Sequence, residues 1–166
     1  QQAGSASDTA EFITGLNEGL THLLEESGVV LFATAIYGVL DLRNDTVQIT
    51  VAGHPNPIAV FEDGTRQLAP PAEATGPALG LVPGFEYGSV TASLQGLRRI
   101  ICFTDGIFEV MNEWKEEFGI DHMIEVIERG GQLERVLENL VQAAEEFARQ
   151  GFFDDDLCLL GMEVRR

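Results

Sequence analysis

The sequence predicts an α+β domain, and three observations predict it. A stripe of apolar residues at helical spacing follows Asp8; a central stretch of short β-type runs is broken by Gly, Pro, Asn and Asp; and two further helical-period segments lie between 120 and 148, ahead of a last apolar run. With 166 residues, 45% of them hydrophobic, the chain is long enough for one compact domain, taken here as 1–166.

The first helix is announced by Asp8-Thr9-Ala10-Glu11, which has capping-box spacing with Asp in place of Ser or Thr. Phe12, Ile13, Leu16, Leu20, Leu23 and Leu24 give its apolar stripe, and Gly28 suits a C-terminal cap. Packing on a sheet of the same domain is the expected use of that stripe. From Val29 to Leu42 no charge interrupts the run until Asp41, as in a well-buried strand. Arg43-Asn44-Asp45 turns it into Thr46–Val51, where apolar and polar residues alternate, so the two form a hairpin. A third strand, Pro57–Phe61, reaches the turn Glu62-Asp63-Gly64 and pairs with Thr65–Leu68. The segment Ala69–Gly84, rich in Pro, Gly and Ala, is a long loop. Phe85–Leu94 alternates loosely, and Arg98–Phe103 is a buried strand. A helix over about Ile120–Arg129 closes at Gly130-Gly131; a second carries the stripe Leu133, Val136, Leu137, Leu140, Val141, Ala144, Phe147 and Ala148. The run Leu157–Met162 is the last strand.

Chemistry concentrates at two strand ends. Ile100-Ile101-Cys102-Phe103 runs into Thr104-Asp105-Gly106, which places one carboxylate on a rigid mount beside an open loop. Asp-Gly is also an ordinary turn, so Asp105 reads either as a turn residue or as a metal ligand or acid. Asp154-Asp155-Asp156 directly precedes the last strand. Adjacent carboxylates repel unless a cation compensates them, and Asp105 could share a hard cation with one of them if the two strands are neighbours; a solvated acidic turn is the competing account. His54, in Ala52-Gly53-His54-Pro55-Asn56-Pro57, has no His or Cys partner at ligand spacing, which favours a hydrogen-bonded structural role. His22 and His122, in helical segments, carry weaker signals.

The 27 acidic residues against 10 basic give a formal charge of −17, which opposes nucleic-acid or anionic-lipid partners. No apolar run reaches membrane-spanning length, and Gln1–Asp8 lacks signal-peptide character. Cys102 and Cys158 sit in apolar runs and read as reduced core thiols of a cytoplasmic protein.

Several segments occur together in the order of one family: Val51-Ala52-Gly53-His54-Pro55, Gly76-Pro77-Ala78-Leu79-Gly80-Leu81, Phe103-Thr104-Asp105-Gly106 with Glu109, Glu117-Phe118-Gly119, and Asp155-Asp156-Leu157-Cys158-Leu159-Leu160. They resemble the bacterial PP2C-like phosphatases of the SpoIIE and RsbU type. The resemblance implies a β-sandwich flanked by helices and metal-dependent hydrolysis of phosphoserine or phosphothreonine on a regulatory protein of the anti-anti-sigma type. It implies Asp105 and Asp155 as ligands of Mn²⁺ or Mg²⁺, with Gly106 and Asp156 beside them, and attack on phosphorus by a metal-activated water. It assigns no catalytic residue beyond these. A sensor or receiver domain upstream is a further expectation. Two departures stand out. The family usually has Thr where this chain has Cys158, and an Asp-x-x-Gly-His-Gly type motif should precede Asp8, whereas nothing in Gln1–Ser7 resembles it. The chain is therefore expected to be the C-terminal part of such a domain, with an incomplete dimetal site and sheet edges that favour a homo-oligomer. The alternative is a phosphatase-like module that binds a regulatory partner without turnover.

Overall fold

The computed structural model describes residues 8–28, 30–71, 75–148 and 155–165. They form two compact units. One takes in the chain up to Asn56 and Leu68–Gln95, the other Pro57–Gln67 and the chain from Gly96.

In the first unit, α1 (Thr9–Ser27) begins where expected. The Asp8 side chain accepts hydrogen bonds from the amides of Ala10 and Glu11, and Gly28 closes the helix at φ +67, its amide bonded to the Leu24 carbonyl. The buried face takes in only part of the expected apolar stripe: Ile13 is buried, and Phe12 and Leu20 pack against its cluster. The buried residues of α1 are the row Thr9, Ile13, Asn17 and Thr21, four residues apart, while Leu16 and Leu23 are exposed. Thr21 donates its hydroxyl within the helix, to the Asn17 and Glu18 carbonyls, while Thr9 and Asn17 take the inner row with long-range partners. The Thr50 hydroxyl donates to the Thr9 hydroxyl at 2.8 Å, the Thr9 amide donates to Gln48 Oε1, and the Asn17 amide group bridges the Val82 carbonyl and the Gly80 amide, both at 2.9 Å.

The adjoining sheet has the order β1-β2-β5, all antiparallel, from β1 (Ala35–Asp41), β2 (Thr46–Ala52) and β5 (Val90–Ser93). The expected hairpin is present. Its turn is organised by Asp41, whose carboxylate accepts from the Asn44 side chain and from the amides of Asn44 and Arg43; the Asn44 side-chain bond leads in holding that carboxyl below its usual range. The well-buried strand expected from Val29 is shorter, and Val30, Leu31 and Phe32 are exposed. Because β1 is an edge strand, half-buried along most of its length, an uncharged run here does not mean two covered faces. The loosely alternating stretch 85–94 likewise gives a strand only over Val90–Ser93, with Tyr87 buried in the loop before it.

The second unit holds a four-stranded antiparallel sheet of order β4-β3-β6-β7: β3 (Ile58–Phe61), β4 (Gly64–Gln67), β6 (Leu97–Phe103) and β7 (Leu159–Glu163). Two helices, α2 (Gly119–Glu128) and α3 (Leu133–Ala148), pack on it. Ile58, Ile101, Phe103, Met123, Val126, Ile127, Val136, Leu140 and Ala144 form its core. α3 runs so close to β7 that a Cβ on Gly161 would lie 2.7 Å from Leu133 Cδ1. On β7 alternation turns Leu157 and Leu159 towards this core and leaves Cys158, Leu160 and Met162 exposed. Cys158 is thus not the core thiol that its apolar neighbours suggested. Cys102 is partly covered, and burial raises its thiol pKa.

Candidate active site

β6 lies between β3 and β7, and its pairing with β7 runs from Arg99↔Glu163 to Phe103↔Leu159. Strands 56 residues apart in sequence are therefore neighbours, which is the condition the two acidic strand ends required. Past Phe103 a side chain extends the ladder. The Thr104 amide donates to the Cys158 carbonyl (3.1 Å); its hydroxyl accepts from the Cys158 amide (2.8 Å) and donates to the Asp156 carbonyl (2.9 Å).

Asp105 follows as the first residue of a 3₁₀ turn, Asp105–Ile107. Its carbonyl accepts from the amides of Phe108 and Glu109, both at 3.0 Å, and its Oδ1 from the Gly106 amide at 3.1 Å. Ile107 is fully buried and fixes the turn to the core, while the Asp105 side chain stays exposed. Gly106 does not have a positive φ. A Cβ there would sit 2.8 Å from the Asp156 carbonyl oxygen and 3.2 Å from that of Asp155, so the glycine makes room for the incoming backbone. Asp155 and Asp156 are exposed, and the Asp156 amide donates to Asp155 Oδ1 at 2.7 Å. Asp154 lies outside the described residues. The structure thus brings Asp105, Gly106, Asp155 and Asp156 to one end of β6 and β7.

Donors at this end are carboxylate and carbonyl oxygens, which suit Mn²⁺ or Mg²⁺. Asp105 and Asp155 each accept from a neighbouring amide through Oδ1, which restrains the carboxyl group. Among the described residues no group of three or more His, Cys, Asp or Glu is placed to hold a metal ion.

The other histidines and motifs do structural work. His54 Nδ1 lies 3.2 Å from the Pro55 carbonyl, and His22 pairs with Glu26 at 3.5 Å on the surface. His122 stacks on Phe118. Ala52-Gly53-His54-Pro55 and Gly76-Pro77-Ala78 are packed against each other in the first unit. Gly53, at φ +60, donates to the Gly76 carbonyl, and a Cβ on it would fall 2.5 Å from the Ala78 nitrogen. The Tyr87 hydroxyl donates to the Pro77 carbonyl. Sequence reasoning missed the role of Thr104. Its only local signal is a hydroxyl directly before the carboxylate.

The family described as stage II sporulation protein E (SpoIIE) matches residues 1–165. The chain belongs to the SpoIIE family. The phosphoserine phosphatase RsbP of Bacillus subtilis is 30% identical over 78 residues, 47% of this chain and 19% of that protein. Protein IcfG of Synechocystis sp. is 26% identical over 103 residues, 62% of this chain and 16% of its own length. The chain therefore spans less than a fifth of either curated relative. Among solved structures, the SiaA-PP2C domain of Pseudomonas aeruginosa superposes with a TM-score of 0.76 at 17% identity, covering 95% of this chain and 61% of that one. The α+β fold of this SpoIIE family member is that of the PP2C-type phosphatases.

Proposed function

We propose that this SpoIIE-family chain serves metal-dependent hydrolysis of phosphoserine or phosphothreonine on a regulatory protein in bacterial signalling. One observation supports the proposal: the β6–β7 junction brings the backbone of Asp155 and Asp156 up against Gly106, next in sequence to Asp105. Asp105 and Asp155 would hold Mn²⁺ or Mg²⁺, and Asp156 helps fix the Asp155 carboxylate through its amide. When bound, such an ion supplies a water of lowered pKa and offsets the charge of the phosphoryl group, which a chain of charge −17 would otherwise repel. Thr104 holds the two strand ends in register. Family membership and the printed activity of RsbP support the reaction class. A phosphorylated protein of the anti-anti-sigma type as substrate, a sensor or receiver domain upstream, a cytoplasmic setting and action of residues 1–166 as one domain complete the proposal.

If the dimetal site is incomplete, the chain by itself is expected to bind Mn²⁺ weakly and turn over slowly. The absence, among the described residues, of a group of three or more His, Cys, Asp or Glu placed to hold a metal is what the second reading starts from, a phosphatase-like module that binds its partner without hydrolysis. Calorimetric titration with Mn²⁺ tests the site. Asp105→Ala and Asp155→Ala should each reduce affinity at least about tenfold, the loss expected for one charged oxygen ligand. Unchanged affinity in both variants would reject the site. Phosphate release from a phosphoserine protein at full family-like rates would reject the incomplete-site idea, and none under any metal would favour the binding module.

A further inference from the structure

In the first unit the segment 79–87 runs back along α1. The Asn17 side chain holds Gly80 and Val82, and the Tyr87 amide donates to Thr14 Oγ1 at 3.1 Å. Tyr87 is buried in one cluster with Ile13, so this wall is rooted in the core of the unit. The N-terminal half of α1, with Glu86 and Tyr87, lines an open groove of about 830 Å³. Phe12, Gly15 and Leu16 give it an apolar floor, and Glu11, Glu18 and Glu86 stand exposed along it.

Two features of the groove go beyond what the packing of α1 asks for. Gly15 lies in the interior of a 19-residue helix, where glycine is less stable than alanine, yet a Cβ on it would meet nothing within 4 Å. Packing among the described residues does not call for a glycine there, and its missing side chain keeps the groove open. The charge is also one-sided. Arg43, in the β1–β2 turn, is the unit's one lysine or arginine, and no ion pair among the described residues engages Glu11, Glu18 or Glu86.

We infer that this groove docks a basic amphipathic helix of a protein partner, which lays its apolar stripe along Phe12, Gly15 and Leu16 and sets lysines or arginines against Glu11, Glu18 and Glu86. α1 offers side chains and no strand edge, so a helix rather than an added strand fits it. Both walls are ordered before the partner arrives, which lowers the cost of docking. A charge of −17 draws a basic partner and repels a second copy of the chain or an anionic lipid surface. The groove belongs to the first unit and Asp105 and Asp155 to the second, so docking here does not require the phosphatase reading to hold.

A fluorescein-labelled peptide with leucines at helical spacing and lysines elsewhere is titrated with the 166-residue chain in about 0.1 M NaCl, beside a scrambled peptide of the same composition and one with Glu for every Lys. Anisotropy should rise saturably with the striped lysine peptide, at least about tenfold more weakly with the scrambled one, and not at all with the glutamate one. Gly15→Leu fills the groove with a better helix former, so it should weaken the striped peptide about tenfold or more while the urea midpoint holds or rises. Glu18→Lys with Glu86→Lys should weaken it to the same extent. No saturable binding, equal binding of the scrambled or glutamate peptide, or unchanged affinity in either variant would overturn the inference. Self-association of the chain, or its uptake by phosphatidylcholine vesicles, that Gly15→Leu abolishes would give the groove to a second copy or to lipid, and would overturn it as well.

Discussion

Gly106 and Thr104 govern the candidate site without offering a ligand. Gly106 faces the backbone of Asp155 and Asp156 at a distance no side chain tolerates, 2.8 Å from a built Cβ to the nearest carbonyl oxygen. Gly106→Ala must therefore displace backbone rather than a flexible side chain, which should cost about 1–3 kcal/mol and separate the two aspartates. A urea midpoint and a Mn²⁺ titration of the same variant check both halves; a variant that keeps wild-type stability and Mn²⁺ affinity would refute the spacing role. Thr104 works by hydrogen bonding, accepting from the Cys158 amide and donating to the Asp156 carbonyl. Thr104→Val keeps the shape and loses the hydroxyl, so about 1 kcal/mol should disappear at this solvent-accessible position, while Thr104→Ser should retain most of it. Equal midpoints for Val and Ser would mean that the hydroxyl contributes nothing.

At the scale of elements, α1 carries the sharpest test. Its leucines look like the packing face, yet Asn17 is fully buried and joins the helix to the 80–82 segment through two 2.9 Å bonds. Asn17→Ala strands the Gly80 amide and the Val82 carbonyl, at a cost of about 2–3 kcal/mol. Leu16→Ala, on the exposed face, should stay within about 0.5 kcal/mol of wild type. Denaturant titration of the pair decides, and the reverse order of costs would restore the leucine stripe. The contrast also marks what was legible in the sequence. The Asp8 cap, the Gly28 stop, the Arg43-Asn44-Asp45 turn and the stripe of α3 were readable because each depends on neighbours within a few residues. The inner row of α1 was not, since Asn17 is satisfied only by residues more than 60 positions away. The site divides in the same way. Asp105 and Asp155 were visible as carboxylates at strand ends, whereas the work of Thr104 and Gly106 exists only once β6 lies beside β7. Between the Asp105 turn and α2, residues 108–119 form a small hairpin that left no periodic signal, because an Asn side chain, that of Asn112, and one left-handed lysine, Lys115, shape its tip.

For the whole molecule, charge and exposed apolar surface act against each other. The 27 acidic residues far outnumber the 10 basic ones. Several arginines are already engaged, Arg66 with Asp63, Arg98 with Glu62, and Arg99 and Arg165 with Glu163. The surplus is negative and long-ranged at low salt, so two copies repel. At β7 the opposite holds. Among the described residues it is the edge strand of its sheet, and Leu160 and Met162 are 66% and 42% exposed on one face of it. An unpaired edge bearing apolar side chains is a template for another strand. Repulsion weakens as the Debye length falls from about 10 Å at 0.1 M salt to about 3 Å at 1 M, while the apolar contact is not screened. The mass measured by light scattering should therefore stay monomeric at low salt and rise with protein concentration at 1 M NaCl. Leu160→Lys with Met162→Lys should abolish that rise without moving the urea midpoint by more than about 0.5 kcal/mol, since neither side chain is in the core. A monomeric mass at every salt concentration would mean that this edge does not recruit a second copy, and association that survives the double substitution would place the contact elsewhere.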